Sequence, residues 1–346
     1  MSDSGYIAKD LQSPVSDDFI ALLRRDGVLC DAGAKLTPLS DGISSEIFRV
    51  DDGGRTFIVK RALPRLRVRD EWLANVDRNR YERMFIAYVA GFLPQAVPAL
   101  LPAPQDRGYF AMECLGIEFT NWKRLLLRGE AKVEDALKAA TILGSIHARS
   151  AGDAEIAAAF ATTPNFTELR IDPYLLTTGN RHSELRALFH GEADRLAATQ
   201  ICLVHGDFSP KNIMVSASRF VLLDCEVAWY GDPAFDLAFL FTHLLLKGLY
   251  HAPRATGLPE MSRAIWLRYV EIAGKAVDCA ALERRVAKLL PMLLLARVDG
   301  KSPVEYLDQG RQQFVRQFTR DWLRNGDTNL GEWVNTWFAK LEQIEA

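Results

Sequence analysis

The stretch LVHGDFSPKNIMVSASRFVLLDCEVAWYGDPAFDLAFL, residues 203–240, decides the fold of this chain. Its apolar runs predict three short β-strands, at residues 201–204, 213–215 and 220–223. Asp207 follows the first strand, Asn212 comes just before the second, and Asp224 follows the third. Polar side chains at the ends of short strands are held rigidly by the scaffold, so these residues are expected to share one cleft.

Two carboxylates and an amide in this arrangement suit phosphoryl transfer from a nucleotide. That reaction needs a carboxylate to position and deprotonate the acceptor hydroxyl, and oxygen ligands to hold Mg²⁺ against the phosphates. We expect Asp207 to be the catalytic base and to contact the substrate, with Asn212 as a catalytic and metal-binding residue. Asp224 is the main predicted metal carboxylate, and Glu226 would lie on the same face of an extended segment.

The spacing D-x-x-x-x-N, followed by a strand that ends in Asp, matches the catalytic loop of protein kinases. HGDFSPKN and LLDCEVAWYGDPAFDLA resemble the aminoglycoside phosphotransferase and choline kinase group of small-molecule kinases. The resemblance implies an α+β, protein-kinase-like two-lobed fold. The small N-terminal β-sheet lobe, residues 1–115, would bind the nucleotide, and the larger, mostly helical lobe, residues 116–346, would carry catalysis and the acceptor.

The N-terminal part of the chain carries the pattern of a nucleotide-binding sheet. Strands are predicted at residues 34–39, 46–50 and 55–62, with a D-G-G turn between the last two. Lys60 ends the third strand, in the position of the kinase lysine that contacts the α- and β-phosphates. Its expected carboxylate partner on the next helix is Glu82, with Glu71 as the alternative.

Two further nucleotide contacts are predicted from the same resemblance. The S-D-G-I-S-S loop would lie over the phosphates, with Ser40, Gly42 and Ser44 leaving backbone N–H groups and hydroxyls free to face an anion. In isolation this loop is an ordinary turn. The strand at 109–115 should lead into the linker between the lobes, where Glu113 and Leu115 would offer backbone hydrogen bonds to adenine.

VKRALPRLRVRDEW at 59–72, followed by DRNRYERM, is similar to methylthioribose kinases, which also share the D-x-E metal pattern. The catalytic loop HGDFSPKN at 205–212 departs from the H-G-D-L-H-T-G-S of those enzymes. They also use two adjacent arginines near the C-terminus for the substrate, whereas here the single Arg297 opens a predicted loop that could reach the acceptor. Residues 165–178 are expected to be irregular, and either shape the acceptor pocket or serve as a connector.

Composition narrows the class of protein. Of the 346 residues, 49% are hydrophobic and 25% are charged, which is typical of a globular protein. The net charge of −2 gives no global reason to expect nucleic acid or an anionic membrane as a partner. Its five cysteines form no C-x-x-C pair, which disfavours a zinc site and favours a reducing compartment. Without a signal-peptide pattern, a cytoplasmic protein is expected.

The predicted function is ATP- and Mg²⁺-dependent phosphorylation of a hydroxyl on a small molecule, such as a sugar, a polyol or a related metabolite. An aminated acceptor such as choline or an aminoglycoside is the alternative within this class. A catalytically silent nucleotide-binding scaffold is the alternative from another class. A protein substrate is disfavoured, because D-C-E stands where protein kinases have D-F-G, and A-P-E is missing.

Overall fold

In the computed structural model, residues 15–39, 45–63, 77–255, 257–325 and 329–344 are described. The N-terminal part is a five-stranded antiparallel sheet in the order β1-β2-β3-β5-β4. Its strands are β1 (Lys35–Pro38), β2 (Ser45–Asp52), β3 (Arg55–Ala62), β4 (Leu100–Leu101) and β5 (Tyr109–Glu113). Gly53 and Gly54 adopt positive φ between β2 and β3, a conformation that glycine takes without steric cost, so the predicted hairpin is confirmed.

Two helices cover the two faces of this sheet. The amphipathic α1 (Asp17–Arg25) buries Phe19 and Leu23 against one face, and α2 (Arg78–Ala90) packs against the other. Side chains alternate along a strand, so Phe57 and Val59 point toward α1. Lys60 therefore emerges on the same face as α2, where a carboxylate from that helix can meet it.

The remainder of the chain is mostly helical. Its helices are α3 (Trp122–Arg128), α4 (Val133–Ser150), α5 (Ala154–Ala159), α6 (Thr163–Phe166), α7 (Thr177–Arg181), α8 (Arg186–Ala198), α9 (Ala234–His251), α10 (Leu258–Ala273), α11 (Cys279–Asp299), α12 (Gln309–Asn325) and α13 (Leu330–Leu341). Short strands form two small sheets: β6 (Thr120–Asn121), β8 (Ile213–Val215) and β9 (Phe220–Leu222) in one, β7 (Cys202–Val204) and β10 (Trp229–Gly231) in the other.

Helix α9 forms the centre of the C-terminal core. Every residue from Ala234 to Leu249 is buried, which is why the sequence of this helix is apolar on all sides. It packs against α11, while α4 packs against α10 and against β7 of one small sheet. None of the described helices combines the length and the apolar character needed to cross a membrane.

The architecture matches the predicted α+β, two-lobed fold, and the boundary at residues 115 and 116 stays a prediction. Two local expectations were wrong. Arg297 lies in the last turn of α11 instead of a loop. The segment Thr167–Leu176 is a π-helix that includes Pro173 and packs against α8 and α11, long-range contacts that a local reading of the proline does not include.

Candidate active site

The loop after β7 is held in place by a buried carboxylate on α9. Asp236 is fully buried, and it accepts hydrogen bonds from the backbone N–H groups of His205 (2.7 Å) and Gly206 (2.9 Å). Gly206 has a φ of 76°, and a Cβ at this position would lie 2.5 Å from the carbonyl oxygen of Val227. Asp236 therefore supports the loop backbone directly, and the glycine of the H-G-D motif is sterically required.

We expect Asp236→Ala to lower the free energy of unfolding by about 2–4 kcal/mol, because it leaves two buried backbone N–H groups without an acceptor. Urea unfolding followed by circular dichroism measures this change. Asp194→Ala, on the exposed face of α8, is the matched control and should stay within about 0.5 kcal/mol of the unsubstituted protein. Equal stabilities for the two variants would contradict the role given to Asp236.

Asp207 is buried at the tip of this loop, and its two carboxylate oxygens have different surroundings. Oδ2 lies 2.9 Å from Nη2 of Arg170 and 3.0 Å from Nζ of Lys211. Oδ1 is buried and has no hydrogen-bond partner among the described residues. Burial alone would raise the pKa of Asp207, but Lys211 and Arg170 hold it below its usual value, so the residue is an anion with one oxygen available.

Asn212 closes the catalytic loop. Its side-chain amide donates to the carbonyl oxygen of Asp207 at 3.0 Å, and its own backbone carbonyl accepts from the N–H of Leu223 at 2.8 Å. The second bond ties the loop to the residue just before Asp224. Since the amide nitrogen donates to Asp207, the amide oxygen is the side-chain atom of Asn212 that would serve a metal ion.

Lys60 joins the sheet to the catalytic segment. Its Nζ lies 2.8 Å from the carboxylate of Glu82 on α2 and 2.7 Å from Oδ1 of Asp224. Burial alone would lower the pKa of Lys60, but the Asp224 and Glu82 carboxylates raise it well above its usual value, so the amine stays charged. Asp224 has a φ of 61°, which is unusual for a residue other than glycine and typical of strained functional positions.

Three carboxylates meet beside this lysine. Glu82, Asp224 and Glu226 each offer an oxygen, and these oxygens lie within 4.8 Å of one another. Glu226 is buried, and its Oε2 lies 3.0 Å from Nε of Arg78 and 3.4 Å from the Ser45 hydroxyl. Such an all-oxygen set fits Mg²⁺, which prefers carboxylates and carbonyl oxygens.

The other predicted nucleotide contacts are less well defined. Ser40, Gly42, Ser44 and the alternative partner Glu71 lie outside the described residues. Glu113 ends β5, where its N–H donates to Ala99 and its carboxylate binds Arg219 at 2.6 Å. The backbone N–H of Glu113 is therefore already paired. A contact to adenine would come from the backbone carbonyl of Glu113 or from the backbone of the half-buried Leu115. These roles remain predictions.

Arg297, in the last turn of α11, is buried. Its Nη1 contacts the Tyr174 hydroxyl at 3.3 Å and the Ser302 hydroxyl at 2.8 Å. The Tyr174 ring lies between two guanidinium groups, with the Cζ atoms of Arg297 and Arg170 each 5.9 Å from its centroid. Arg297 therefore connects to Asp207 through Tyr174 and Arg170, and its predicted role in substrate binding remains untested.

Sequence reasoning missed Arg170 and Tyr174. Both lie in the π-helical segment that was expected to be irregular, and no local pattern marks either residue. Arg170 also donates from Nε to the Gly206 carbonyl at 2.5 Å, so it supports both the backbone and the carboxylate of the loop. Only the expectation that residues 165–178 shape the acceptor pocket pointed to this part of the chain.

Comparisons with known proteins concern the family and the fold of this chain. The sequence model of the phosphotransferase enzyme family matches residues 35–264. A methylthioribose kinase of Pectobacterium atrosepticum is 26% identical over 266 residues, which cover 67% of this chain and 65% of that enzyme's length. The predicted resemblance to methylthioribose kinases is confirmed at this level of similarity.

Solved structures show the same fold. An amicoumacin kinase in complex with AMP-PNP and Ca²⁺ has a TM-score of 0.57 at 12% identity, covering 93% of this chain and 97% of that one. A choline/ethanolamine kinase family protein from Mesorhizobium loti has a TM-score of 0.51 at 15% identity, covering 94% and 93%. With the fold confirmed and the family model matched over most of its length, this chain belongs to the phosphotransferase enzyme family.

Proposed function

We propose that this protein transfers the γ-phosphoryl group of ATP to a hydroxyl of a small molecule. The observation that carries the proposal is the unpartnered Oδ1 of Asp207, whose carboxylate interacts electrostatically with Asp224, the residue that pairs with Lys60. The Asp207 carboxylate is suited to the acceptor hydroxyl, and the Lys60 amine is suited to phosphate oxygens. Phosphoryl transfer requires mainly that these two partners be positioned and that their charge be stabilised.

The chain's own residues suffice to describe the transfer. The acceptor O–H donates to Oδ1 of Asp207, and its oxygen attacks the γ-phosphorus. The bond from that phosphorus to the β–γ bridging oxygen breaks, its electron pair leaves on ADP, and the acceptor proton passes to Asp207. Lys60, oriented by Glu82, neutralises phosphate charge.

The divalent cation has a defined set of candidate ligands. Bound Mg²⁺ would neutralise and align the phosphate oxygens, and Asn212, Asp224 and Glu226 are the residues that would hold it. Of these, Asp224 and Glu226 have carboxylate oxygens within 4.8 Å of each other. Calorimetry of ATP binding with and without Mg²⁺ tests this assignment. We expect Mg²⁺ to increase ATP affinity at least tenfold, and no binding of Mg·ATP would reject the kinase function.

A sugar or polyol acceptor is supported by the similarity to a methylthioribose kinase. ATP consumption across methylthioribose and other sugars, choline, ethanolamine and aminoglycosides tests the acceptor class. Turnover that is lost in Asp207→Ala would support an enzyme. A scaffold would bind nucleotide, turn over none of these acceptors and function unchanged with alanine at position 207.

A further inference from the structure

One side of the central helix α9 carries a buried lysine near the candidate acceptor site. Phe239, His243 and Lys247 are spaced four residues apart and share one helix face. Lys247 is fully buried, and its Nζ donates only to the carbonyl of His243, at 3.2 Å. No carboxylate pairs with it in the part of the chain that the structure describes. An unpaired buried ammonium is costly, so its presence needs an explanation.

Other cations surround Lys247 and make its position less favourable still. Burial, Lys123 and Arg297 together lower the pKa of Lys247 to about 7. The ammonium groups of Lys247 and Lys123 lie 5.4 and 5.8 Å from the centroid of the Tyr306 ring. Glu305 is the nearby carboxylate, but it pairs with Lys123. Lys247 and Arg297 are therefore the basic side chains of this region that no carboxylate of the described residues pairs with.

This cationic region is continuous with the catalytic loop. The Phe239 ring contacts both His243 (5.0 Å) and Tyr174 (5.5 Å). Tyr174 in turn lies between Arg297 and Arg170, and Arg170 binds Asp207. These aromatic and cationic side chains thus form a continuous row of contacts from Asp207 to Lys247, which we call the wall: Arg170, Tyr174, Arg297, Phe239, His243 and Lys247.

Several polar atoms along this wall are buried without a partner among the described residues. They are Nε2 of His243, Nε of Arg297 and the hydroxyl of Tyr306. Buried polar groups are nearly always hydrogen-bonded, so three neighbouring exceptions indicate a place where a ligand supplies the missing partners. Nε of Arg297 can only donate, which calls for an oxygen acceptor.

We propose that the acceptor carries, in addition to its reacting hydroxyl, an anionic group that Lys247 and Arg297 bind. This inference rests on the proposed kinase function and specifies its substrate class. A carboxylate or a phosphate ester would supply both the negative charge and the oxygen acceptors that the wall lacks. A cationic acceptor such as an aminoglycoside or choline would instead meet like charges at this end of the site.

Matched acceptors test the charge preference. Glycerol, glycerate, glycerol 3-phosphate and serinol form one set, and ribose, ribonate and ribose 5-phosphate form another. We expect the anionic members to have the highest kcat/KM, with the amine serinol the poorest substrate of its set. Comparison of kcat/KM between the carboxylate and the phosphate ester of each set identifies which anionic group the site prefers. A preference for the neutral or aminated members would overturn the proposal.

Substitutions of Lys247 and Arg297 test whether these residues bind the anionic group. Lys247→Met and Arg297→Gln should each raise the KM for an anionic acceptor roughly 10–100-fold, the effect of losing one charged hydrogen bond, with a much smaller change in kcat. For Lys247→Met, KM for the neutral counterpart should stay within about twofold. Lys340→Met and Arg263→Gln, both exposed, remove the same charges elsewhere and should behave as the unsubstituted protein. Equal effects on charged and neutral acceptors would reject the assignment.

A binding measurement decides the matter if none of these acceptors turns over. Calorimetry with glycerate and with inorganic phosphate, on protein saturated with Mg·AMP-PNP, should show binding that the Lys247→Met/Arg297→Gln double variant loses. No binding to the unsubstituted protein, or equal binding to the double variant, would overturn the anion site. Failure of the kinase function is distinguishable, because it appears as absent Mg·ATP binding whatever the anion result.

Discussion

Asp207→Asn is expected to lower kcat by about 10²–10⁴-fold, the usual contribution of a general base, while ATP affinity changes little. Asparagine has nearly the shape of aspartate but cannot accept the acceptor proton. The affected atom is Oδ1, which is buried and available, whereas Oδ2 is occupied by Arg170 and Lys211. Lys60 and its carboxylate partners are unchanged, so nucleotide binding should persist.

Steady-state turnover and calorimetric binding of Mg·ATP measure the two halves of this prediction. Because the substitution would leave Arg170 and Lys211 without their counter-charge, thermal unfolding must show that the variant is folded at the assay temperature. Asp194→Asn, on an exposed helix face, is the control. Full turnover by a folded Asp207→Asn variant would show that this carboxylate is not the base.

Asp224→Asn is expected to reduce kcat by about 10²–10³-fold and to raise the Mg²⁺ concentration needed for half-maximal activity. The substitution removes a carboxylate from the three-carboxylate group, along with the ion pair to Lys60 at 2.7 Å. The positive φ of Asp224 makes asparagine the informative replacement, because asparagine tolerates this conformation. A loss of activity can then be attributed to charge instead of backbone strain.

Activity titrated with MgCl₂ provides the readout. Asp321→Asn, exposed on α12, carries the same change far from the predicted ligands and should leave the titration unchanged. An Asp224→Asn variant with an unaltered Mg²⁺ requirement would remove Asp224 from the proposed metal site. Glu82 and Glu226 would then be the carboxylates to examine.

Much of the fold and part of the site were predictable from the sequence alone. The hairpin β2–β3, the strands β7 to β9 and the long helix α9 follow from apolar runs and turn residues, which act over a few neighbouring positions. The spacing of Asp207, Asn212 and Asp224 carries information because these residues lie on consecutive elements. Lys60 and Glu82 could be paired because strand alternation and an adjacent helix restrict which side chains can meet.

Only the tertiary structure brought Arg170, Tyr174, Arg297 and Lys247 into one region. These residues come from three separate helical segments, and of the four only Arg297 was singled out from the sequence. The proline-bearing segment 167–176 is π-helical and packs against α8 and α11, a long-range interaction that no local rule takes into account. The sequence by itself thus determined the family, through closely spaced residues, whereas only long-range packing brought side chains distant in sequence together in a buried environment.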